Sequence, residues 1–328
     1  MPKAWNLVSR PEGAPDKSNF ELREFELPPL ADGMVHVRNR WLSVDPYMRG
    51  RMNESKSYIP PFQLDQPMEG GAIGEVVESK AEGFAPGDLV QHFAGWRDEA
   101  VLPAKAVNKL PDIGARPQDF LGNLGVTGAT AWFGLLDVAQ AKEGDIVFVS
   151  AAAGAVGSAV VQIAKAKGMT VIGSAGGAEK CEFVRALGAD AAIDYRSGPI
   201  QKSLRDAAPD GIDVYFDNVG GDHLDAAFAR ARLHARFALC GMISGYNSRE
   251  PQQFRYIIRM IAMRIMMKGF LYGDYGPRMG EFYRAMGELI TSGKVTPRDT
   301  VYEGLDSAAD AFLGLFTGAN TGKMLVKV

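Results

Sequence analysis

The rhythm of apolar and polar positions changes near Gly122. Before it, short apolar runs alternate with Pro and Gly, as in 33–42 and 71–77, a spacing that predicts the short strands of a small β-rich domain. After it, apolar runs of strand length alternate with stretches of helical period, and strands are predicted at 146–150, 170–174, 191–195, 214–218 and 235–240. This alternation implies an α/β, doubly wound parallel sheet, the Rossmann architecture. A helix is predicted at 280–290. The tail from Val295 returns to short strands around one helix, 307–316, and closes on an apolar strand, 322–328. Such a strand needs a sheet, and the first domain is the expected host. The pattern therefore divides the chain into a β-rich domain, 1–121 with 294–328, and a dinucleotide-binding domain, 122–293.

The most informative stretch is 145–168, where a β-branched strand runs into a glycine turn and then into a helix. Val156, Val160, Ile163 and Ala164 recur at helical spacing, so one face can pack on the sheet while the N-terminus points at the turn. Free N–H groups and the helix dipole at that end attract an anion. Gly154 would let the backbone approach a pyrophosphate, and Gly157 would let the helix lie close to its strand. At the end of the next strand stand Gly173, Ser174, Gly176 and Gly177, where an NAD enzyme carries an Asp or Glu for the ribose 2′-hydroxyl. Lys180 follows, and a cation there suits the extra phosphate of NADP. NADP is the expected cofactor.

Composition removes several classes of function. Across 328 residues, 36 basic and 39 acidic side chains give a net charge of −3, with no basic block to suggest a nucleic-acid partner. The first ten residues lack the apolar core of a secretory leader, and the apolar stretch 256–272 is broken by Arg259, Arg264 and Lys268. A cytoplasmic protein without membrane association is expected. Cys181 and Cys240 are too few for a disulfide framework, and their apolar neighbours predict buried, reduced thiols. His36, His92, His223 and His234 are scattered and no Cys pair is close, so no zinc site is expected. No Gly-x-Ser-x-Gly follows a strand, which argues against a serine hydrolase.

Five blocks carry a resemblance: 44–51 (Val-Asp-Pro-Tyr-Met-Arg-Gly-Arg), 128–136, 151–157, 215–221 (Tyr-Phe-Asp-Asn-Val-Gly-Gly) and 240–247. In these blocks, in order and over nearly its whole length, the chain resembles the zinc-independent branch of the medium-chain dehydrogenase/reductases. Within that branch it is most similar to the prostaglandin reductase, plant double-bond reductase and bacterial curcumin-reductase-like enzymes. The resemblance implies a GroES-like β-rich domain beside the Rossmann domain. It also implies NADPH-dependent reduction of the carbon–carbon double bond of α,β-unsaturated aldehydes or ketones. By the same resemblance Gly154, Ala155, Val156 and Gly157 would hold the pyrophosphate, and Lys180 with Tyr195 the 2′-phosphate. Asn218, the loop with Cys240, Gly241, Ile243, Ser244 and Tyr246, the segment Phe270, Leu271 and Tyr272, and Asn320 would line the rest of the cofactor site. Where zinc-dependent relatives carry a Cys and a Gly-His-Glu segment, the corresponding stretches look like 44–47 and 67–71, which lack those ligands.

Hydride delivered to a β-carbon pushes charge onto the carbonyl oxygen, so a neutral donor fixed near that oxygen lowers the barrier without a metal. A phenol, with an ordinary pKa of about 10, suits that role. Tyr47, Tyr58 and Tyr246 are the candidates, because they sit in segments that resemble the family's nicotinamide and substrate walls. Several family members carry a further tyrosine seven residues before the Gly of a Gly-Phe strand; counted back from Gly269, that position is Ala262. In the run 259–268, Met260, Met263 and Met267 recur at helical spacing, which favours core packing or a subunit contact over a substrate pocket. A strand is expected at 269–272, near a sheet edge through which family members commonly pair, and a homodimer follows from the resemblance alone. Two rivals stay open: a quinone reductase of the same superfamily, and a non-catalytic NADPH-binding protein.

Overall fold

β-branched and aromatic residues at alternate positions build the first part of the chain as strands. β1 (Lys3–Leu7) and β2 (Phe20–Glu24) form an antiparallel pair. β3 (Met34–Ser43) buries Val35, Val37 and Asn39 on one face, the period-two pattern of a half-covered sheet. A single helical turn, α1 (Met48–Arg51), precedes β4 (Ala72–Ser79), β5 (Leu89–His92), β6 (Glu99–Pro103) and β7 (Asn108–Lys109). This computed structural model describes residues 1–248 and 250–328. Contacts divide them into two units: 1–121 with 299–320 and 324–328, and 122–298 with 321–323.

The second unit begins with α2 (Val126–Phe133) and then alternates β8 (Ile146–Val149), α3 (Ala155–Ala166), β9 (Thr170–Ala175), α4 (Ala178–Ala186), β10 (Ala191–Asp194), α5 (Ile200–Ala207), β11 (Ile212–Asp217), α6 (Gly221–Arg230) and β12 (Ala231–Leu239). After α7 (Arg259–Met263) and β13 (Met266–Gly269), α8 (Met279–Thr291) ends the unit. Its six strands run parallel in the order β10-β9-β8-β11-β12-β13, so the strand order reverses between β8 and β11. In open α/β sheets ligands bind outside the carboxyl ends of the strands at that reversal. α3 is buried from Gly157 to Ala164 rather than along one stripe, because residues facing away from the sheet are covered by α2.

In the tail, β14 (Asp299–Glu303), α9 (Ala308–Thr317) and β15 (Lys323–Lys327) follow. β15 pairs antiparallel with β3, Leu325 opposite Ser43, and β14 extends that sheet beyond it. The closing strand thus joins the first sheet, as its apolar sequence required. α9 supplies Phe312, whose ring meets those of Phe20 and Trp96 edge-on, each at 5.9 Å, to form the aromatic centre of that core.

Two expectations need correction. The methionine-rich run is not one helix: α7 ends at Arg264, which adopts a left-handed conformation (φ 51°), and Met266 and Met267 lie in β13, paired with Arg236 and Phe237 of β12. Met260, Met263 and Met267 nonetheless pack against the second unit's core. The expected strand at 269–272 is displaced, since β13 stops at Gly269 and Tyr272 opens a 3-10 turn.

Candidate functional site

The turn after β8 is shaped by glycine. A side chain at Gly157 would place its Cβ 2.2 Å from the Ala151 carbonyl oxygen and 2.9 Å from Ala152 Cα, so only glycine lets α3 approach this closely. Gly154 is the N-cap of α3, and a Cβ there would sit 3.2 Å from the same oxygen. No side chain caps α3, which leaves its first-turn N–H groups to an anion. The turn is held from two sides. Ala152 N–H donates to the Ser174 carbonyl (2.8 Å) and Gly322 N–H to the Ala153 carbonyl (2.7 Å). Gly322, at φ +72° with the Arg298 carbonyl oxygen 2.0 Å from a built Cβ, must itself be glycine.

At the end of β9 a second cradle forms. A Cβ on Gly176 would lie 2.7 Å from the Tyr195 hydroxyl and 2.9 Å from Arg196 Nε. Asp194 Oδ1 accepts from the Gly177 (2.8 Å) and Arg196 (2.9 Å) N–H groups and so fixes the chain that presents Tyr195 and Arg196. Burial, then the Arg196 charge, holds the Lys180 ammonium below its ordinary pKa, against the opposing pull of Glu179.

On the other side of β8 from the second cradle, at the carboxyl ends of β8 and β11, lies a buried polar network. Asp217 Oδ1 accepts from the Tyr215 hydroxyl (2.6 Å), Val219 N–H (2.9 Å) and Gly220 N–H (2.8 Å). Its backbone carbonyl accepts from Cys240 and Gly241. Asn218 donates through Nδ2 to the Ser150 carbonyl (2.8 Å) and through N–H to the Ser150 hydroxyl (2.9 Å). Burial raises the Asp217 carboxyl pKa despite those bonds, and burial with Asp217 nearby pushes the Cys240 thiol up to about 12. Cys181 is buried whereas Cys240 is half-buried; both are free thiols.

Of the residues expected at the cofactor site, the structure brings Gly154 to Gly157, Asn218 and the 240–246 loop to the carboxyl end of one sheet. Ile243 N–H donates to the Asn218 carbonyl (3.3 Å), the Ser244 hydroxyl to the Val219 carbonyl (2.6 Å), and the Tyr246 hydroxyl lies 2.9 Å from a Cβ built on Gly241. Phe270 packs edge-on against Phe216, ring centres 6.2 Å apart, and covers Gly134. Leu271 and Tyr272 are exposed. Asn320 belongs to the first unit, as do Tyr47 and Tyr58. Tyr47 immediately precedes α1, with no side-chain capping bond to it, and packs against the first core. Tyr58, 64 % exposed, rides a loop fastened by arginines: Arg51 Nε donates to the Pro60 carbonyl (2.8 Å) with its guanidinium 4.1 Å over the Phe62 ring, and Arg10 donates to the Met52 (3.0 Å) and Phe62 (3.2 Å) carbonyls. Ala262 is an exposed position of α7.

Three features escaped the sequence reading. Asp217 carried a signal, an acid inside an apolar strand; Arg196 stands next to Tyr195; Gly322 immediately precedes the closing strand. Among the described residues, no group of three or more His, Cys, Asp or Glu side chains could hold a metal ion, and no helix is long and apolar enough to cross a membrane.

Two family models match the chain: an N-terminal domain of oxidoreductase over residues 3–110 and a zinc-binding dehydrogenase over 155–291. Across 333 residues it is 40 % identical to the NADPH-dependent curcumin reductase of Escherichia coli, covering 99 % of this chain and 96 % of that one. It is 38 % identical to the NADP(+)-dependent 2-alkenal reductase of Nicotiana tabacum, covering 96 % and 94 %. The crystal structure of CurA from Vibrio vulnificus in complex with NADPH superposes with a TM-score of 0.95 at 42 % identity, covering 99 % of both chains. The chain belongs to the zinc-independent, NADP-dependent reductases of the medium-chain dehydrogenase/reductase family. The two glycine cradles fit that cofactor: one presents a helix start with no side-chain cap, which suits an anion, and the other has Lys180 and Arg196 where an NAD site has a carboxylate.

Proposed function

We propose that the chain reduces the carbon–carbon double bond of α,β-unsaturated aldehydes and ketones. The observation that carries this reading is the NADP cradle at Gly176 and Lys180 on a chain similar along its length to a 2-alkenal reductase and a curcumin reductase. NADPH, when bound, supplies a hydride. Gly154 to Gly157 hold its pyrophosphate, and Lys180 and Tyr195 its 2′-phosphate. Asn218, Cys240, Gly241, Ile243, Ser244, Phe270, Leu271, Tyr272 and Asn320 line the remainder. Tyr47, Tyr58 and Tyr246 are the candidate donors to the substrate carbonyl oxygen, where charge develops as the β-carbon accepts hydride. With Ala262 at the family's tyrosine position, stabilising the enolate falls on Tyr58, Tyr246 or a ribose hydroxyl.

The experiment follows loss of reduced-nicotinamide absorbance from NADPH and NADH with a 2-alkenal, a dienone and a quinone in parallel, with products identified by mass spectrometry. The reading expects NADPH-selective formation of a saturated carbonyl. Turnover of the quinone alone would replace it with quinone reduction, and tight NADPH binding without turnover would leave a binding protein.

The same reading makes the chain a cytoplasmic homodimer paired through the end of its parallel sheet. Two features support this: β13 ends that sheet, and Ile258 and Ile261 beside it are 68 % and 76 % exposed.

A further inference from the structure

We propose that Arg196 is a cofactor-specificity residue, gripping the ribose 2′-phosphate of NADP together with Lys180 and Tyr195 across Gly176. The proposal rests on reading the end of β9 as the 2′-phosphate pocket and adds a residue that no motif singled out. Its geometry is built by two backbone devices. Gly176 has no side chain, and the space its Cβ would fill is bordered by the Tyr195 hydroxyl at 2.7 Å and Arg196 Nε at 2.9 Å. Asp194 Oδ1 accepts the Gly177 and Arg196 N–H groups together, which ties the strand end that carries the guanidinium to the turn that opens α4. The Asp194 carboxylate is thereby held by backbone, and its charge also interacts with the Arg196 guanidinium.

The charges point the same way. Arg196 and Lys180 lie close enough for the guanidinium to disfavour the ammonium form of Lys180, a repulsion that a dianion between them would reverse. Guanidinium suits this position because its planar fork can hold two phosphate oxygens at once, while Lys180 acts as a point charge and Tyr195 as a neutral donor. A ribose 2′-hydroxyl offers the two cations no negative charge, only a neutral acceptor, so the pair discriminates between the two dinucleotides.

The test is calorimetric binding of 2′,5′-ADP and 5′-AMP to wild type, Arg196→Gln, Arg196→Lys and Lys180→Gln. Losing a charge-assisted phosphate contact should weaken 2′,5′-ADP about tenfold or more in Arg196→Gln. Affinity for 5′-AMP should be unchanged, which also reports a folded site, and Arg196→Lys should recover part of the loss. The salt dependence of 2′,5′-ADP binding should flatten in Arg196→Gln, as expected when one ion pair is lost. If Lys180→Gln abolishes the preference for 2′,5′-ADP and Arg196→Gln leaves it intact, the role of Arg196 is refuted while the pocket stands. If neither variant changes the preference, the 2′-phosphate lies elsewhere and the underlying reading fails. Equal weakening of both ligands would make Arg196 a structural residue and refute the proposal.

Discussion

Gly157 concentrates the logic of the phosphate turn in one missing methyl group. With the Ala151 carbonyl oxygen 2.2 Å from a built Cβ, Gly157→Ala must push α3 off the turn. Overpacking of this kind costs about 1–3 kcal/mol, so the variant should melt lower and bind NADPH more weakly, read by thermal denaturation and by nicotinamide fluorescence. Gly177→Ala strains a residue at φ +98° with open space around it, so its cost should come from backbone conformation alone. The turn at Gly154 and Gly157 was legible because its shape depends on near neighbours in sequence, a strand before and a helix after. Arg196 and Gly322 were not, since what matters about them is a neighbour far along the chain, Gly176 for one and the 151–154 turn for the other.

At the scale of elements, the carboxyl ends of β8 and β11 are joined by the Asp217 network, which sets the path of the 218–221 loop. Asp217→Ala would strand the Val219 and Gly220 N–H groups without their acceptor and leave the Tyr215 hydroxyl only Ser150 Oγ, at about 2 kcal/mol or more. Asp217→Asn retains an oxygen for them and should cost distinctly less; denaturant unfolding of both variants separates acceptor loss from charge loss. The five strands predicted between 146 and 240 all form, because each is a compact apolar run bounded by turn residues. β12 begins four residues before its predicted start, at Ala231, where Ile212 of β11 supplies the pairing partner. The helical spacing of the methionines in 259–268 does not carry through one helix, for a related reason: that spacing is local, whereas the pairing that draws Met266 to Gly269 into β13 depends on β12.

At the scale of the molecule, each unit buries one neutral histidine. Burial brings His92, in the first unit, and His223, in the second, from an ordinary pKa of 6.5 to about 4, with Arg97 adding to the effect on His92. The folded state disfavours the proton, so stability is full above about pH 6.5 and is lost as pH falls towards 4, by up to about 3 kcal/mol per histidine. The melting temperature should therefore drop between pH 6.5 and 4.5, and His223→Phe should flatten that slope. Ile258→Glu and Ile261→Glu should convert the proposed dimer to monomers in sedimentation experiments, whereas an unchanged wild-type monomer would remove the pairing. The direct test of the function itself is the destination of the hydride. Given NADPH deuterated at nicotinamide C4 and a 2-alkenal, the account predicts a saturated aldehyde with one deuterium at its β-carbon. Deuterium on the carbonyl carbon of an unsaturated alcohol would contradict it.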